Sequence, residues 1–477
     1  MNQQPVHQPN ILWILSDQHR AQALSWNGDR NVHTPGIDSL IRNGTVFSNA
    51  CAGAPWCTPF RGALLTGMYP HVNGCTQTPS RLDPKIPTVA HRFKEAGYHT
   101  AWVGKWHLAG SNDSSHLVTP ELRGGFDHWF GYENNNKQND VWVYGTGQEE
   151  PRRLSQYETQ GLSTHFIQHL EDHLGRSKTP TPSRFVEGQV PSSPGEKSIG
   201  DQPRSYQPFF ACLSVQPPHS PYVPPADSRP IHPQEVALRP NVPVVDQIQA
   251  KARRDIAGYS GMVEEVDRMV SYVRQELKRL GVDKETYVFY FSDHGDMLGS
   301  HGQWEKSSPW EESIRIPMVI GTVEGQESIL VQDLDLPLNH VDIAPTSLGL
   351  CSIPTPPQMQ GYDYSRFVVH PNRQTDYHKS QTQPVPEVAY LQQIPRKFHP
   401  YSVNRAWRGI ITRDRWKYIC SPGNDWFLFD LKTDPFEMAN LAFDIRYRDK
   451  KIELHRFLKS TMDHLGDRFE LPREEDL

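Results

Sequence analysis

The side chain of Cys57 stands directly before a predicted helix N-terminus, a position that suits a nucleophile acting on an anion. Thr58 is a typical N-cap residue, Pro59 suits the first helical position and Gly67 suits a helix end. Free backbone N–H groups at a helix start attract anions, and Arg61, one turn into the helix, adds a cation with a planar set of donors. The segment therefore predicts a site for a tetrahedral oxyanion beside a reactive residue. For a cysteine taken at random, an ordinary buried thiol is the more common interpretation.

Two pairs of potential metal ligands follow apolar runs that lie far apart in the chain. Asp17 and Gln18 form the first pair, and Asp293 and His294 form the second. Either pair alone is typical of a turn, but two such pairs at equivalent strand ends can surround one divalent cation. Two carboxylates, an amide oxygen and an imidazole are compatible with Ca²⁺, and the imidazole leaves Mg²⁺ or Mn²⁺ open.

Four basic side chains occupy comparable positions after apolar runs or after the second ligand pair. Lys105 and His107 lie two residues apart, where extended geometry would point both to one face. His219 follows a third run, and Lys306 follows the Asp293 pair. Singly, such residues are usually solvated or satisfied by hydrogen bonds. Converging on one crevice, they would hold an anion and stabilise the charge that grows during its reaction.

The apolar runs themselves predict the fold that brings these clusters together. Continuous apolar runs are typical of parallel strands buried on both faces, and ligands of open α/β sheets bind beyond the carboxyl ends of such strands. Helical patterns at 87–96 and 256–280, each followed by glycine, supply the crossovers. We therefore predict an α/β fold with a large, mostly parallel sheet sandwiched by helices. Its four predicted strands are residues 11–15, 100–103, 209–215 and 287–291.

Composition shifts divide the chain into a catalytic domain, residues 1–375, and a C-terminal α+β subdomain, residues 376–477. Residues 145–208 are rich in Pro, Ser, Gly and Gln, which predicts an inserted surface loop. The polar tract 374–401 marks the boundary. Beyond it, 409–411, 416–419 and 426–430 are predicted strands of a small antiparallel sheet, and 449–465 is a predicted closing helix.

The composition of the chain limits the kinds of partner that the protein is expected to bind. The 477-residue chain carries a formal net charge of −6, which argues against nucleic acid. Its apolar runs are too short for a membrane helix, so no membrane partner is expected. The first ten residues have no basic start and no apolar stretch, which predicts a cytoplasmic protein, or a periplasmic or secreted one if the native chain begins earlier. Oligomeric state is left open.

The spacing Cys-x-Pro-x-Arg, followed by Leu64-Leu65-Thr66-Gly67, resembles the type I sulfatases of the alkaline-phosphatase-like superfamily. A Cys-x5-Arg thiolate phosphatase is a poorer match, because residue 63 is Ala. In the resembling family this cysteine is oxidised to formylglycine, which implies a formylglycine-generating enzyme as a maturation partner. The chain departs from the family pattern at Phe60, usually a small residue, and at Gln18, which is more often acidic.

The resemblance also implies roles for the other residues. The metal ligands would be Asp17, Gln18, Asp293, His294 and the formylglycine made from Cys57. A hydroxyl of the hydrated formylglycine would attack sulfur, and Asp293 would take its proton. Arg61, Lys105 and Lys306 would hold the sulfuryl oxygens. His219, helped by Lys306, would protonate the departing alcohol, and His107 would take the proton that lets sulfate leave.

Two other functions remain open on the sequence. A phosphonate monoester or phosphodiester hydrolase shares the fold, the formylglycine and an Asp, Gln, Asp, His metal set, but tends to carry neutral hydroxyl residues where this chain has Lys105 and His107. A non-catalytic protein that binds sulfated glycans would keep an intact Cys57 thiol. The complete set of reactive positions favours an enzyme over a binder.

The expected substrate is a sulfated carbohydrate, the commonest substrate class of the resembling family. Trp106, Trp310 and Arg408 are candidate substrate-binding residues, because sugar rings stack on aromatic faces and Arg pairs with sulfate or uronate groups. Such tryptophans are more often core or rim packing. Which sugar, which hydroxyl, and whether the action is internal or terminal are not readable from the residues.

Overall fold

A ten-stranded sheet runs through the protein, and a separate four-stranded antiparallel sheet follows later in the chain. The computed structural model describes residues 8–176, 206–322, 329–394 and 402–477. The large sheet has the order β10-β2-β9-β8-β1-β7-β3-β4-β5-β6, and the small one has the order β11-β12-β13-β14. The strands are β1 (Asn10–Ser16), β2 (Gly44–Phe47), β3 (His99–Lys105), β4 (His128–Tyr132), β5 (Trp142–Gly145), β6 (Gln148–Arg153), β7 (Phe209–Val215), β8 (Thr286–Ser292), β9 (Met318–Gly321), β10 (Gln332–Leu334), β11 (Val388–Gln393), β12 (Trp407–Thr412), β13 (Trp416–Ser421) and β14 (Asn424–Asp430).

Helices cover both faces of the large sheet, as the crossovers between parallel strands require. None of the described helices combines the length and hydrophobicity that crossing a bilayer would need. The α-helices are α1 (Pro35–Arg42), α2 (Cys57–Thr66), α3 (Pro70–Asn73), α4 (Val89–Glu95), α5 (Glu158–His173), α6 (Asp246–Arg279), α7 (Glu311–Ile314), α8 (Ile343–Leu350), α9 (Ser365–Val368), α10 (Asp376–Ser380) and α11 (Arg448–Leu465).

The centre of the large sheet is parallel, and this confirms the predicted fold class. β1 pairs in parallel with both β7 and β8, and β3 pairs in parallel with β7 and β4. β1, β7 and β8 are buried along their whole length, which explains why their sequences are continuous apolar runs rather than alternating ones. Residues of β1 alternate between two hydrophobic cores: Trp13 belongs to one and Ile14 to the other. The carboxyl ends of these strands therefore meet along one edge.

The two predicted crossover helices are present with different bounds. α4 begins two residues later than expected, because Thr88 is its N-cap and forms a capping box with His91. α6 begins at Asp246, ten residues before the start of the predicted helix 256–280. The prediction missed these first turns because they carry few apolar residues. Gly97 and Gly281 follow the two helix ends with positive φ, as predicted.

The expectation of a surface loop over residues 145–208 was wrong for its first part. β6 and α5 lie there, and α5 buries Leu162, Phe166 and Leu170 against the sheet. The apolar residues of α5 recur at helical spacing, but the Pro- and Ser-rich composition of the later residues dominates the average over the whole tract. Residues 177–205 lie outside the described part of the chain.

The C-terminal sheet contains one strand more than predicted. β11 lies within the polar tract 374–401 and pairs antiparallel with β12, so its stabilisation comes from a partner that the local sequence does not show. The three predicted strands and the closing helix α11 are present. The division into residues 1–375 and 376–477 stays a prediction.

Five histidines link α5 to the amino ends of two neighbouring strands. His99 of β3 faces His169 with Nε2 atoms 3.0 Å apart, and His128 of β4 faces His165 at 3.2 Å. The rings of His128 and His169 stack at 3.7 Å, and those of His99 and His173 at 4.4 Å. In an imidazole pair of this kind the accepting ring must be neutral, because a protonated ring has no acceptor nitrogen. The packing of α5 on the sheet therefore depends on at least one unprotonated ring in each pair.

We expect this cluster to make the protein sensitive to acid. Burial lowers the pKa of His99 and His128 to about 4 and that of His165 to about 3, with neighbouring imidazoles adding to the effect. Unfolded histidines titrate near pH 6.5, so between about pH 6.5 and 4 the unfolded chain binds more protons and the free energy of unfolding falls as pH falls. Each such histidine contributes a slope of about 1.4 kcal/mol per pH unit.

Thermal melts between pH 7.5 and 4.5 measure this dependence. Replacing His165 by Asn should make the fall in Tm with decreasing pH shallower. The exposed His232, replaced in the same way, is the control and should leave the slope as in the wild type. Equal slopes in the wild type and His165→Asn would contradict the argument.

Candidate active site

Cys57 is the first residue of α2, and all ten residues of this helix are buried. Trp56, rather than Thr58, occupies the N-cap position, and no side chain caps the helix. Thr58 was therefore assigned wrongly: its hydroxyl donates to the carbonyl oxygen of His107 at 3.1 Å, which ties the helix start to the segment after β3. Gly67 ends the helix in the left-handed conformation, as predicted.

Four potential ligand atoms surround one point next to the start of α2. Single atoms of Asp17, Cys57, Asp293 and His294 all lie within 4.8 Å of one another, and all four residues are buried. His294 Nε2 lies 3.7 Å from Asp17 Oδ1, 3.5 Å from Asp293 Oδ1 and 3.2 Å from Cys57 Sγ. The strand ends of β1 and β8 therefore bring together the two pairs that the sequence separates by 275 residues.

The electrostatics of these carboxylates fit a divalent cation. Burial and the nearby Asp17 charge raise the pKa of Asp293 to about 7. Burial also opposes ionisation of Asp17, but the positive charges of Lys105 and His294 hold its pKa below its ordinary value. Two buried carboxylates this close repel each other unless a cation lies between them. The donor set of two carboxylates and an imidazole supplies what such an ion needs.

Gln18 lies beside this cluster in a network of its own. Its amide oxygen accepts a hydrogen bond from Lys306 Nζ at 2.7 Å, and its Nε2 donates to Asp296 Oδ2 at 2.5 Å. Gln18 also has a positive φ of 70°, which turns the chain sharply after Asp17. A carbonyl oxygen can accept from Lys306 and still offer a second lone pair. Metal ligation by Gln18 stays a prediction.

Lys306 also contacts His219, so two of the predicted basic residues form a pair. Lys306 Nζ lies 2.5 Å from His219 Nε2, and His219 Nδ1 lies 2.6 Å from the carbonyl oxygen of Ser220. Because that carbonyl can only accept, His219 carries its proton on Nδ1 and presents Nε2 to the lysine. The two side chains can therefore share a proton.

Arg61 and Lys105 are buried against the carboxylates. Lys105 Nζ donates to Asp17 Oδ2 at 2.6 Å, and Arg61 Nη2 lies 3.2 Å from the same oxygen and 3.5 Å from Asp293 Oδ2. Arg61 Nη1 also donates to the carbonyl oxygen of Lys105 and to Ser214 Oγ. Arg61 therefore orients the two carboxylates and joins the ends of β1, β3, β7 and β8.

His107 completes the set on the other side of Cys57. Its ring interacts with the Cys57 thiol, and its Nε2 lies 3.4 Å from Asn112 Oδ1. Burial lowers the pKa of His107 to about 4, so its imidazole is neutral near pH 7 and can accept a proton. A φ of 60° at His107 breaks the extended geometry expected after Lys105. The two side chains nevertheless reach the same site.

The whole constellation attracts negative charge at residue 57. Burial by itself would raise the pKa of the Cys57 thiol, but the charges of Lys306, Lys105 and His294 hold that pKa well below its ordinary value. A buried position that stabilises an anion so strongly suits a developing oxyanion equally well.

Two family models match the chain. A model described as sulfatase matches residues 9–353, and one described as N-sulphoglucosamine sulphohydrolase, C-terminal, matches residues 299–464. The chain belongs to the sulfatase family. It is therefore a sulfuric ester hydrolase, and membership implies a formylglycine and a divalent metal at the site described above.

Individual relatives cover nearly the whole of this sulfatase. The Ulvan-active sulfatase of Formosa agariphila is 30% identical over 468 residues, which cover 97% of this chain and 82% of that protein. A solved Bacteroides thetaiotaomicron structure, from work on the metabolism of multiple glycosaminoglycans, has a TM-score of 0.78 at 25% identity, covering 96% of this chain and 97% of that one. The phosphonate monoester hydrolase of Agrobacterium radiobacter has a TM-score of 0.70 at 20% identity, with 96% of both chains covered. The fold alone therefore does not separate sulfatase from phosphonate hydrolase.

Two positioning residues of this sulfatase were missed from the sequence. Ser214, within β7, bridges Arg61 and the carbonyl oxygen of Lys105. Asp296 accepts from Gln18 and from Tyr222, and so fixes the network beside Lys306. Ser214 lies inside an apolar run and could have been noticed as its polar exception. Asp296 follows His294 by two residues, but nothing in the local sequence separates it from a turn residue.

The three candidate substrate-binding residues are buried and already have partners inside the protein, so sugar binding by them stays a prediction that this packing does not favour. Trp106 is fully buried and packs edge-on against Trp102 and Trp129. Trp310 is 9% exposed and stacks on His301 at 3.8 Å. Arg408 is 3% exposed and forms a two-pronged ion pair with Asp467 at 2.7 and 3.1 Å. Residue type alone could not show that these side chains are already satisfied inside the protein.

Proposed function

We propose that this sulfatase removes sulfate esters from a sulfated carbohydrate, with a formylglycine formed at Cys57 and a Ca²⁺ ion. The observation that carries the proposal is the convergence of Asp17, Asp293, His294, Lys105 and Lys306 around residue 57. The named activity of the Formosa agariphila relative on ulvan and the glycosaminoglycan setting of the solved relative favour a polymeric sulfated sugar.

Asp17, Asp293 and His294 would hold the metal, with residue 57 and Gln18 completing its shell. Mostly hard oxygen donors favour Ca²⁺ over softer ions, with Mg²⁺ and Mn²⁺ as the other outcomes of a metal analysis. When bound, the ion would neutralise the two carboxylates and supply Lewis-acid polarisation to the reacting oxygen atoms.

Maturation of Cys57 requires a formylglycine-generating enzyme as a partner. The thiol Sγ, 3.2 Å from His294 Nε2, marks the place that a formylglycine oxygen would take. Hydration of the aldehyde supplies two hydroxyls on one carbon, one to attack sulfur and one to allow later release.

The surrounding residues can move the protons that this chemistry needs. Asp293 lies beside residue 57, where it would take the proton of the attacking hydroxyl, and the neutral His107 can accept a proton on the other side of residue 57. The His219–Lys306 pair can deliver a proton to the departing sugar oxygen. Lys105 and Lys306 would stabilise the negative charge on the sulfuryl oxygens.

Turnover of defined substrates tests the proposal. We expect desulfation of at least one class of sulfated oligosaccharide to exceed hydrolysis of a phosphonate monoester, measured as kcat/KM with the metal-loaded, formylglycine-containing enzyme. Faster turnover of the phosphonate would favour the rival hydrolase. A purified protein that keeps an intact Cys57 thiol after coexpression with the maturation enzyme, and binds glycans without cleaving them, would favour the binder.

Replacing His219 by Asn should affect substrates according to their leaving group. A sugar hydroxyl is a poor leaving group and needs a proton, so we expect kcat on a sulfated sugar to fall by about 10²- to 10⁴-fold. An aryl sulfate with an acidic phenol leaves without that proton and should lose far less. Parallel measurement of both substrates checks this, and equal losses would contradict the role of His219 as the proton donor.

A further inference from the structure

A cavity lies beside the loops that contact the two proposed catalytic histidines, His107 and His219. It has a volume of about 390 Å³, within the range of small-ligand sites, and we call it the Trp142 cavity. The cavity is formed between the loop before Pro120 and the segment that leads from β4 into the β5–β6 hairpin. The residues of its lining used below are Ser114, Leu117, Asn135, Lys137, Asp140 and Trp142.

Hydrogen bonds join both walls of the Trp142 cavity to the active site. Gln138, within the 135–142 wall, donates its Nε2 proton to the carbonyl oxygen of His219 at 2.9 Å. Asn136 in the same wall accepts from Gln216, three residues before His219, at 3.1 Å. On the other wall, Asn112 lies 3.4 Å from His107 and two residues before Ser114. The cavity is therefore built on the segments that hold His107 and His219.

The side chain of Trp142 gives this cavity an aromatic face. The residue is 50% exposed, although it stands at the start of β5 in a hairpin that continues the central sheet. Leu117, in the opposite wall, is 46% exposed. A large indole left half in solvent beside an active site, on a rigid hairpin, is the arrangement that sugar rings use for stacking. Trp106 and Trp310 lack this exposure.

Lys137 adds a positive charge to the same cavity. Asp140, the acid nearest to it in the lining, pairs with Arg153 at 2.7 Å. Lys137 is exposed and attracts Asp140 at longer range, without forming an ion pair within the described residues. An exposed ammonium next to an aromatic face can pair with a carboxylate or a second sulfate on a sugar that stacks there.

We propose that the Trp142 cavity is the subsite for a sugar ring on the leaving-group side of the scissile sulfate, with Trp142 as its stacking face and Lys137 as the partner of a second anionic group. This inference rests on the proposed function, because the ring that it places belongs to the leaving group that receives a proton from His219. It predicts a preference for multiply anionic oligosaccharides over neutral sugars that carry one sulfate.

Kinetics on two substrates test this subsite. For the mature enzyme, kcat/KM is measured on an anionic sulfated oligosaccharide and on a small aryl sulfate, whose leaving group has no second ring to place in the cavity. In Trp142→Ala we expect the ratio of the two values to fall by about tenfold or more, mainly through KM for the oligosaccharide. In Lys137→Gln the ratio should fall by about fivefold for a substrate with a second anionic group and should not fall for a neutral sugar with one sulfate.

Trp26→Ala is the matched control. Trp26 is 47% exposed and lines a different cavity, on the loop after β1, so its removal should leave the ratio at the wild-type value. A ratio in Trp142→Ala equal to that in the wild type or in Trp26→Ala would overturn the subsite alone. Absence of turnover of every sulfated oligosaccharide by a wild type that cleaves aryl sulfate would overturn the proposed carbohydrate function, and the subsite with it.

Discussion

Replacing Cys57 by serine should lower the turnover of a sulfate ester by about 10⁴-fold or more. Serine offers one hydroxyl, so it can attack sulfur once but has no second hydroxyl with which to expel sulfate by elimination. Released product should therefore stay at or below one equivalent per enzyme molecule. The measurement is product release over time by the mature wild type and the variant, with mass spectrometry of the peptide that contains residue 57.

A second cysteine supplies the control for this prediction. Cys51 is also fully buried, but burial raises the pKa of its thiol to about 11, and it lies outside the metal cluster. Cys51→Ser should therefore keep most of the activity. Sustained turnover by Cys57→Ser at a rate near that of the wild type would show that residue 57 is not the nucleophile.

Replacing Asp17 by Asn should produce the second large loss, about 10³-fold in kcat/KM with a matching loss of bound metal. The carboxylate of Asp17 contacts Lys105 Nζ and Arg61 Nη2 and lies 3.7 Å from His294 Nε2. The change keeps the shape but removes one negative charge beside the ion, takes the carboxylate partner from Lys105 and leaves Arg61 with Asp293 alone. Metal content of the purified protein and activity titrated with added Ca²⁺ measure the two effects.

Asp267→Asn separates a metal defect from a folding defect. Asp267 is a buried carboxylate far along α6 that accepts from the backbone N–H groups of Gly36 and Ile37 at the start of α1. Its replacement should lower Tm without changing metal content. If Asp17→Asn kept its metal and lost only stability, as Asp267→Asn should, the assignment of Asp17 to the metal site would be wrong.

Much of the fold was predictable from short stretches of residues. The runs that became β1, β7 and β8 are apolar along their whole length because both faces are covered, and that pattern is visible in any one of them. Polar residues directly after such runs necessarily meet at one edge of a parallel sheet. The positions of Asp17, Asp293 and Lys105 after these runs therefore predict that the three residues lie close together, as they do.

Other features depended on partners that are distant in sequence. β11 looked like a polar linker because its strand character comes from pairing with β12. The histidines of α5 find their hydrogen-bond partners in His99 and His128, which belong to strands β3 and β4. In each case a local pattern was too weak, and the tertiary neighbour supplied the missing stabilisation.

By itself, then, the amino-acid sequence determined the family, the segment of the proposed nucleophile and the strand ends that carry the proposed metal ligands, since these depend on local spacing and on runs of one residue type. Only the tertiary structure decided which aromatic side chains are accessible, that Lys306 reaches both His219 and Gln18, and that Arg61 orients the carboxylates. Exposure and charge pairing are properties of three-dimensional surroundings. For that reason Trp142, rather than Trp106 or Trp310, carries the inference about the sugar.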